Sequence, residues 1–257
     1  MSKNQTKLIT GVHNYCDRWC ERCPFTQRCA VGVETHKMSG AQLDMENEAF
    51  WRTLSQNFEK SYKLLEKNFL KEGFNLQPPT DEDLIVFEKK DAELRSKIKK
   101  TPLIAAADAY CKQSKEWFDN SNNLFEEKGV EFISHVEMGI KTEAEMIQKG
   151  VVFGECIEVI QWYVHFIPVK FSRALHGKIE DDGWETANGF PKDSDGSAKI
   201  ALIAAERSLG AWTQLATLMP ESLDEMLPML GSLQKTIRLG DLEFPEARRF
   251  VRAGFDD

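Results

Sequence analysis

The sequence contains no phosphate-binding glycine-rich loop, no Gly-x-Ser-x-Gly elbow and no His-Glu-x-x-His pair. The usual signatures of nucleotide-binding loops, α/β hydrolases and zinc proteases are therefore missing. It has no alternating pattern of strand length and no internal repeat, so neither a sheet nor a solenoid has anything to build from. The opening residues, Met1-Ser-Lys-Asn-Gln-Thr-Lys, carry no apolar core of a signal peptide, and a reducing cytoplasm is the expected setting. The longest apolar stretch, residues 131–175, holds Glu155 and Glu158 in its middle. Each carboxylate would cost on the order of a few kcal/mol in a bilayer, so a membrane span is not expected. A formal net charge of -8 offers no basic footprint for nucleic acid. Neither membrane nor nucleic acid is an expected partner.

Cysteine is also scarce, except in one place. Of six cysteines, four fall at Cys16, Cys20, Cys23 and Cys29, spaced Cys-x3-Cys-x2-Cys-x5-Cys; the other two, Cys111 and Cys156, are isolated. Clustering of this kind marks a metal site. A disulfide framework is the competing explanation, but it belongs to oxidising compartments and to chains too small to bury a core. With 257 residues, 42% of them hydrophobic, this chain needs no covalent staples.

Four thiolates suit either zinc or an iron–sulfur cluster. Zinc sites with four cysteines commonly join two Cys-x2-Cys knuckles, whereas only one is present here, and His13 or His36 could replace a thiolate in a mixed zinc site. Compact cysteine runs with proline directly after a ligand, as in Cys23-Pro24, favour a 4Fe–4S cluster. The expected cofactor is a 4Fe–4S cluster, with zinc as the alternative. Arg18, Arg22 and Arg28 can offset the negative charge of such a centre, or simply pair with Asp17 and Glu21. Tyr15, Trp19 and Phe25 either shield it from water or dock the segment on the rest of the protein.

The segment Cys20-Glu-Arg-Cys23-Pro-Phe-Thr-Gln-Arg-Cys29 resembles the Cys-x2-Cys-x5-Cys auxiliary iron–sulfur segment of SPASM-type domains. The resemblance covers about ten residues and implies cluster ligation by those cysteines. Cys16, Cys20 and Cys23 are also similar in spacing to the radical S-adenosylmethionine enzymes. Arg22, however, stands where that family usually has an aromatic residue, and nothing downstream reads as its barrel.

The remainder predicts an all-α fold: a bundle of five or six helices over residues 39–257, with residues 1–38 as a cysteine-rich metal-binding arm. Leu43, Phe50, Leu54, Phe58, Leu65 and Phe69 recur at helical steps over residues 39–71. Thr80 and Asp83 form a capping box ahead of a charged helix. A third pattern runs from Pro102 to about residue 127, with Gly129 as its stop and Cys111 as a small buried hydrophobe. Residues 177–196 read as an acidic, turn-rich loop. Asp193-x-Asp195-Gly196 there resembles the start of a calcium loop, but Leu202 occupies the place of the required glutamate, and helix capping by Asp195 or Ser197 explains it better. Residues 197–219 predict a central helix, followed by one from about 222 to 238 and a short terminal piece at 246–251.

Polar residues on apolar helices are the second place to look for chemistry. Glu155, Glu158, Gln161 and His165 form one stripe, and Lys199 and Glu206 another, with Arg207 alongside. Converging in the bundle interior, Glu155, Glu158, His165 and Glu206 would make a ferritin-like carboxylate metal site. Facing outward, the same residues are a solvated helix face. The paired Glu-x-x-His motifs of di-iron bundles are missing, and Glu131 with His135 is a weaker pair. A cysteine–histidine nucleophile drawn from Cys111 or Cys156 with His135 or His165 would have its thiol among apolar neighbours and be unreactive. The functions in contention are a 4Fe–4S redox or oxidoreductase-associated protein with a protein redox partner, a zinc-pinned helical scaffold for protein–protein interaction, and the carboxylate metal enzyme.

Overall fold

A computed structural model describes residues 7–71 and 78–256; the polar N-terminal residues 1–6 lie outside it. The described residues are helical with no strand, as the periodicity predicts. The number of helices is not five or six: ten α-helices are present among the described residues, because several predicted helices break and short ones intervene. They are α1 (Ala30–Lys37), α2 (Gly40–Leu43), α3 (Glu48–Lys71), α4 (Asp81–Lys99), α5 (Pro102–Asn120), α6 (Asn122–Glu137), α7 (Glu143–Ile179), α8 (Trp184–Ala187), α9 (Asp193–Leu218) and α10 (Leu223–Glu243).

The differences have local causes. The pattern over residues 39–71 divides at Asp44–Asn47, where the Asp44 and Asn47 side chains each accept a backbone N–H two residues on, an Asx turn that competes with the helix. Gly129 does not end a helix. Ser121 does, and α6 then runs through Gly129, a position with nothing within 4 Å of an added Cβ. Helix α7 likewise passes through Gly150, Gly154 and Pro168. It opens on a capping box between Thr142 and Glu145. The acidic loop is shorter than expected, because α7 extends to Ile179, α8 occupies its middle and α9 starts at Asp193. Asp193 and Asp195 therefore lie inside the first turn of α9 rather than capping it; their charge suits the positive end of the helix dipole, and Asp193 accepts from Arg173 at 2.9 Å.

The chain divides into two compact units, Met1–Ala92 with Ala253–Asp257, and Glu93–Arg252. The composition break at residue 38 falls inside the first. In the second, α7 and α9 pack along their lengths, with α5 and α10 completing the bundle. Ala201, Ala204 and Ala205 of α9 are fully buried beside Ile160, Tyr163, Ile167 and Phe171 of α7. Small side chains on one helix let the large ones of the other interdigitate at close range. Gly240 of α10 is part of that fit, since a Cβ there would stand 2.8 Å from the Phe171 ring. Helix α7 is long and apolar enough, by length and composition alone, to cross a membrane; here its Ile160–Phe171 face belongs to the bundle core.

Candidate metal centre

The four clustered cysteines sit on a chain that reverses direction repeatedly. Cys20–Arg22 and Thr26–Arg28 are single 3-10 turns, and Arg18 between the first two cysteines takes φ 61°. That left-handed conformation costs a non-glycine residue about 1–3 kcal/mol. The Thr26 hydroxyl ties the two turns together, lying 2.9 Å from the Cys20 carbonyl and 2.8 Å from that of Cys23. Pro24 follows Cys23 without a donor of its own, and the Phe25 amide donates instead to the Cys23 sulfur at 3.4 Å. Cys29 is the N-cap residue of α1, its side chain making no capping hydrogen bond. Gly32 in α1 is indispensable to this packing: a Cβ would lie 2.4 Å from the Thr26 carbonyl oxygen.

Cys16, Cys20, Cys23 and Cys29 all line one small cavity of about 20 Å³, room for one water-sized body. His13, Trp19, Phe25 and Phe255 line it too. The Nδ1 atom of His13 is buried with no hydrogen-bond partner among the described residues, and a buried nitrogen left so costs about 1–3 kcal/mol unless something else accepts or donates there. His36 is exposed at the end of α1 and Tyr15 is not part of the lining. Burial raises the pKa of the Cys20 thiol above its usual range, and Cys16, Glu21, Cys23 and Cys29 raise it further. The other three thiols are thus near enough to Cys20 to resist its ionisation. Among the described residues, no three His, Cys, Asp or Glu side chains are placed so that they could hold a metal ion as they stand. The cysteines converge on one space without forming a closed coordination shell.

The surrounding arginines are partly committed elsewhere. Arg22 lies over the Trp19 ring at 4.3 Å, and Arg28 donates to the Lys7 carbonyl at 3.3 Å. Arg18 borders the cavity itself.

The second candidate set does not come together. Glu155, Glu158, Gln161 and His165 are all exposed on α7, the outward-facing alternative. Glu206 pairs with Arg248 at 2.8 Å, while Arg248 also grips Asp241. Arg207 donates to the Tyr163 hydroxyl at 2.6 Å, Lys199 donates to the Phe250 carbonyl, and Glu131 is held by Lys128 at 2.8 Å. One pairing weighed in the sequence does form: the Cys111 sulfur lies 3.3 Å from Nδ1 of His165. Burial and then Asp108 raise the Cys111 pKa, so the thiol stays protonated at neutral pH. Cys156 is buried, its thiol raised by burial and by Glu155.

Sequence reasoning missed Phe255 as a wall of the cysteine cavity. No spacing signal links residues so far apart in the chain. No family model, no curated protein and no solved structure matches this chain.

Proposed function

We propose that this is a metal protein whose N-terminal loop holds a 4Fe–4S cluster through Cys16, Cys20, Cys23 and Cys29, and that it serves as a redox or oxidoreductase-associated protein. The observation that carries this reading is the convergence of all four cysteines on one cavity. The compact spacing and the Cys23-Pro24 step favour iron–sulfur. The raised pKa of Cys20 beside three other thiols supports a cation site, because a bound cation reverses the penalty that crowding imposes on a thiolate. When bound, such a cluster supplies one-electron transfer. Trp19, Phe25 and Phe255 limit water at the site, and the Thr26 hydroxyl fixes the distance between the two turns that carry the cysteines.

Structural zinc in a helical scaffold is a second reading, favoured by the size of the cavity and by the orphaned His13 nitrogen. About 20 Å³ suits a single ion better than four irons, and a mixed Cys and His set is a zinc donor set. Single replacement of each cysteine by serine, and of His13 by alanine, tests both readings against metal content after purification. Loss of metal in all four cysteine variants with retention in His13→Ala supports the cluster. Retention of metal in every variant defeats both.

A further inference from the structure

A cleft of about 600 Å³ opens between the second half of α5 and the starts of α6 and α10, within the range of about 300–1,000 Å³ usual for ligand clefts. Glu116, Glu127 and Glu225 line it, and no lysine, arginine or histidine does. Glu116 reaches Lys112 at 3.7 Å, both side chains being well exposed. Neither Glu127 nor Glu225 has an ion-pair partner among the described residues. Lys128, the buried cation nearby, is spent on Glu131 and Glu221. The three carboxylates are also spread out: among the described residues no three His, Cys, Asp or Glu side chains stand where one metal ion could bridge them.

The inner wall of the cleft offers donors instead. Trp117 is 6% exposed, and its indole Nε1 is buried without a hydrogen-bond partner among the described residues. A donor left so costs about 1–3 kcal/mol, a penalty that an acceptor oxygen brought into the cleft removes. Gln113 accepts the Ser232 hydroxyl on Oε1 at 2.8 Å, which leaves its amide nitrogen to donate. Ser121 gives its hydroxyl to the Trp117 carbonyl and makes no side-chain cap on α6, so the first amides of α6 are donors at the cleft as well. Asn120 and Asn123 stand beside them, and a carboxamide both donates and accepts.

We propose that this cleft binds an extended basic segment of a partner protein. Backbone carbonyls of that segment take the hydrogen bonds offered by Trp117, Gln113 and the start of α6. Its arginine side chains reach Glu116, Glu127 and Glu225, which a guanidinium can grip through two oxygens at once. Guests of simpler chemistry meet only half of the site. A free anion is opposed by the three carboxylates, a protonated polyamine brings no acceptor oxygen to the buried indole, and a metal ion finds no converging ligands. A peptide carries acceptors along its backbone and cations on its side chains.

The test is fluorescence anisotropy of a labelled, end-blocked peptide in which three arginines alternate with alanine, titrated at low salt with the full chain, thiols kept reduced. A Kd on the order of 10–100 µM is expected, with binding lost when the arginines are replaced by glutamine. Glu127→Gln and Glu225→Gln are each expected to raise that Kd about three- to fivefold. Glu180→Gln, which removes the same charge outside the cleft, should leave it unchanged. Trp117→Phe keeps a ring and removes the donor, for a rise of about two- to tenfold; circular dichroism checks its fold, and the two surface glutamine variants decide the matter if it fails to fold. Spermine should bind about tenfold more weakly than the peptide. A parent chain that binds no peptide, a loss as large in Glu180→Gln as in Glu127→Gln and Glu225→Gln, or spermine bound as tightly as the peptide overturns the proposal.

Discussion

The ring of Phe255 meets that of Phe25 edge to face, with centroids 5.0 Å apart and planes at 87°. Gly254 makes the approach possible: it adopts φ +77° and would bring a Cβ within 3.2 Å of Ile9 and Val12. The C-terminal residues thus wall the cavity of the four cysteines. Phe255→Ala removes an aromatic contact worth about 0.5–1.5 kcal/mol beyond its buried area and admits water. Alkylation of Cys29, now buried, is expected to accelerate severalfold in that variant, followed by mass spectrometry; an unchanged rate means that Phe255 does not guard the site.

Two glycine replacements separate the cysteine segment from the bundle. Gly32→Ala drives a Cβ to 2.4 Å from the Thr26 carbonyl, and the backbone cannot yield there without moving the turn between Cys23 and Cys29. Metal content should fall while the bundle melts normally. Gly154→Ala meets nothing within 4 Å on α7 and should stabilise the protein by about 0.5–1 kcal/mol in urea titration.

Cys111 has an imidazole within reach yet a pKa raised by burial and by Asp108. Below that raised pKa the thiol dominates, so iodoacetamide should modify it more slowly at neutral pH than an ordinary exposed cysteine. Removing the charge in Asp108→Asn lowers the pKa toward its usual range and should speed the reaction. A Cys111 that reacts rapidly at neutral pH contradicts this picture.

Lys128 is buried between Glu131 at 2.8 Å and Glu221 at 3.0 Å. Burial pulls its pKa down, but the hydrogen bonds it donates to Glu131 and Glu221 outweigh this and leave the pKa raised. Glu221 is lowered in turn: burial opposes the shift, its own backbone amide and Lys128 drive it. The lysine contribution is complete below its unfolded pKa and fades as pH rises through the higher folded value. The glutamate contribution is complete above its unfolded pKa and fades as pH falls through the lower folded value. Lys128→Ala should cost about 1–3 kcal/mol at neutral pH. The difference from the parent should shrink on acidification through the carboxylate range, read by urea unfolding at several pH values.

Much of the helical fold was legible because periodicity and caps are local. Thr80 and Asp83 form their capping box, the Asp83 amide donating to the threonine hydroxyl at 3.2 Å, and Thr101 caps α5 ahead of Pro102. The boundaries that went astray turned on tertiary support. Gly129 is read as a stop, yet α6 runs through it, at a cost near 1 kcal/mol, and α7 runs through Pro168 at a greater one; packing of α6 on α7 supports both helices. For the site, the spacing of the cysteines named the residues that share a cavity. It could not show that the glutamates of α7 face outward, because a 3.6-residue stripe has the same sequence whether it looks inward or out. Nor could it place Phe255, whose position depends on contacts across the length of the chain.

The most direct test of the central claim is metal and sulfide analysis of anaerobically purified protein together with its visible spectrum. A coloured protein with four irons and four sulfides per chain is expected, the colour bleaching on reduction and absent when Cys16, Cys20, Cys23 and Cys29 are all replaced by serine. A colourless protein holding one zinc per chain contradicts the redox function, and a colourless protein holding no metal contradicts the metal centre altogether.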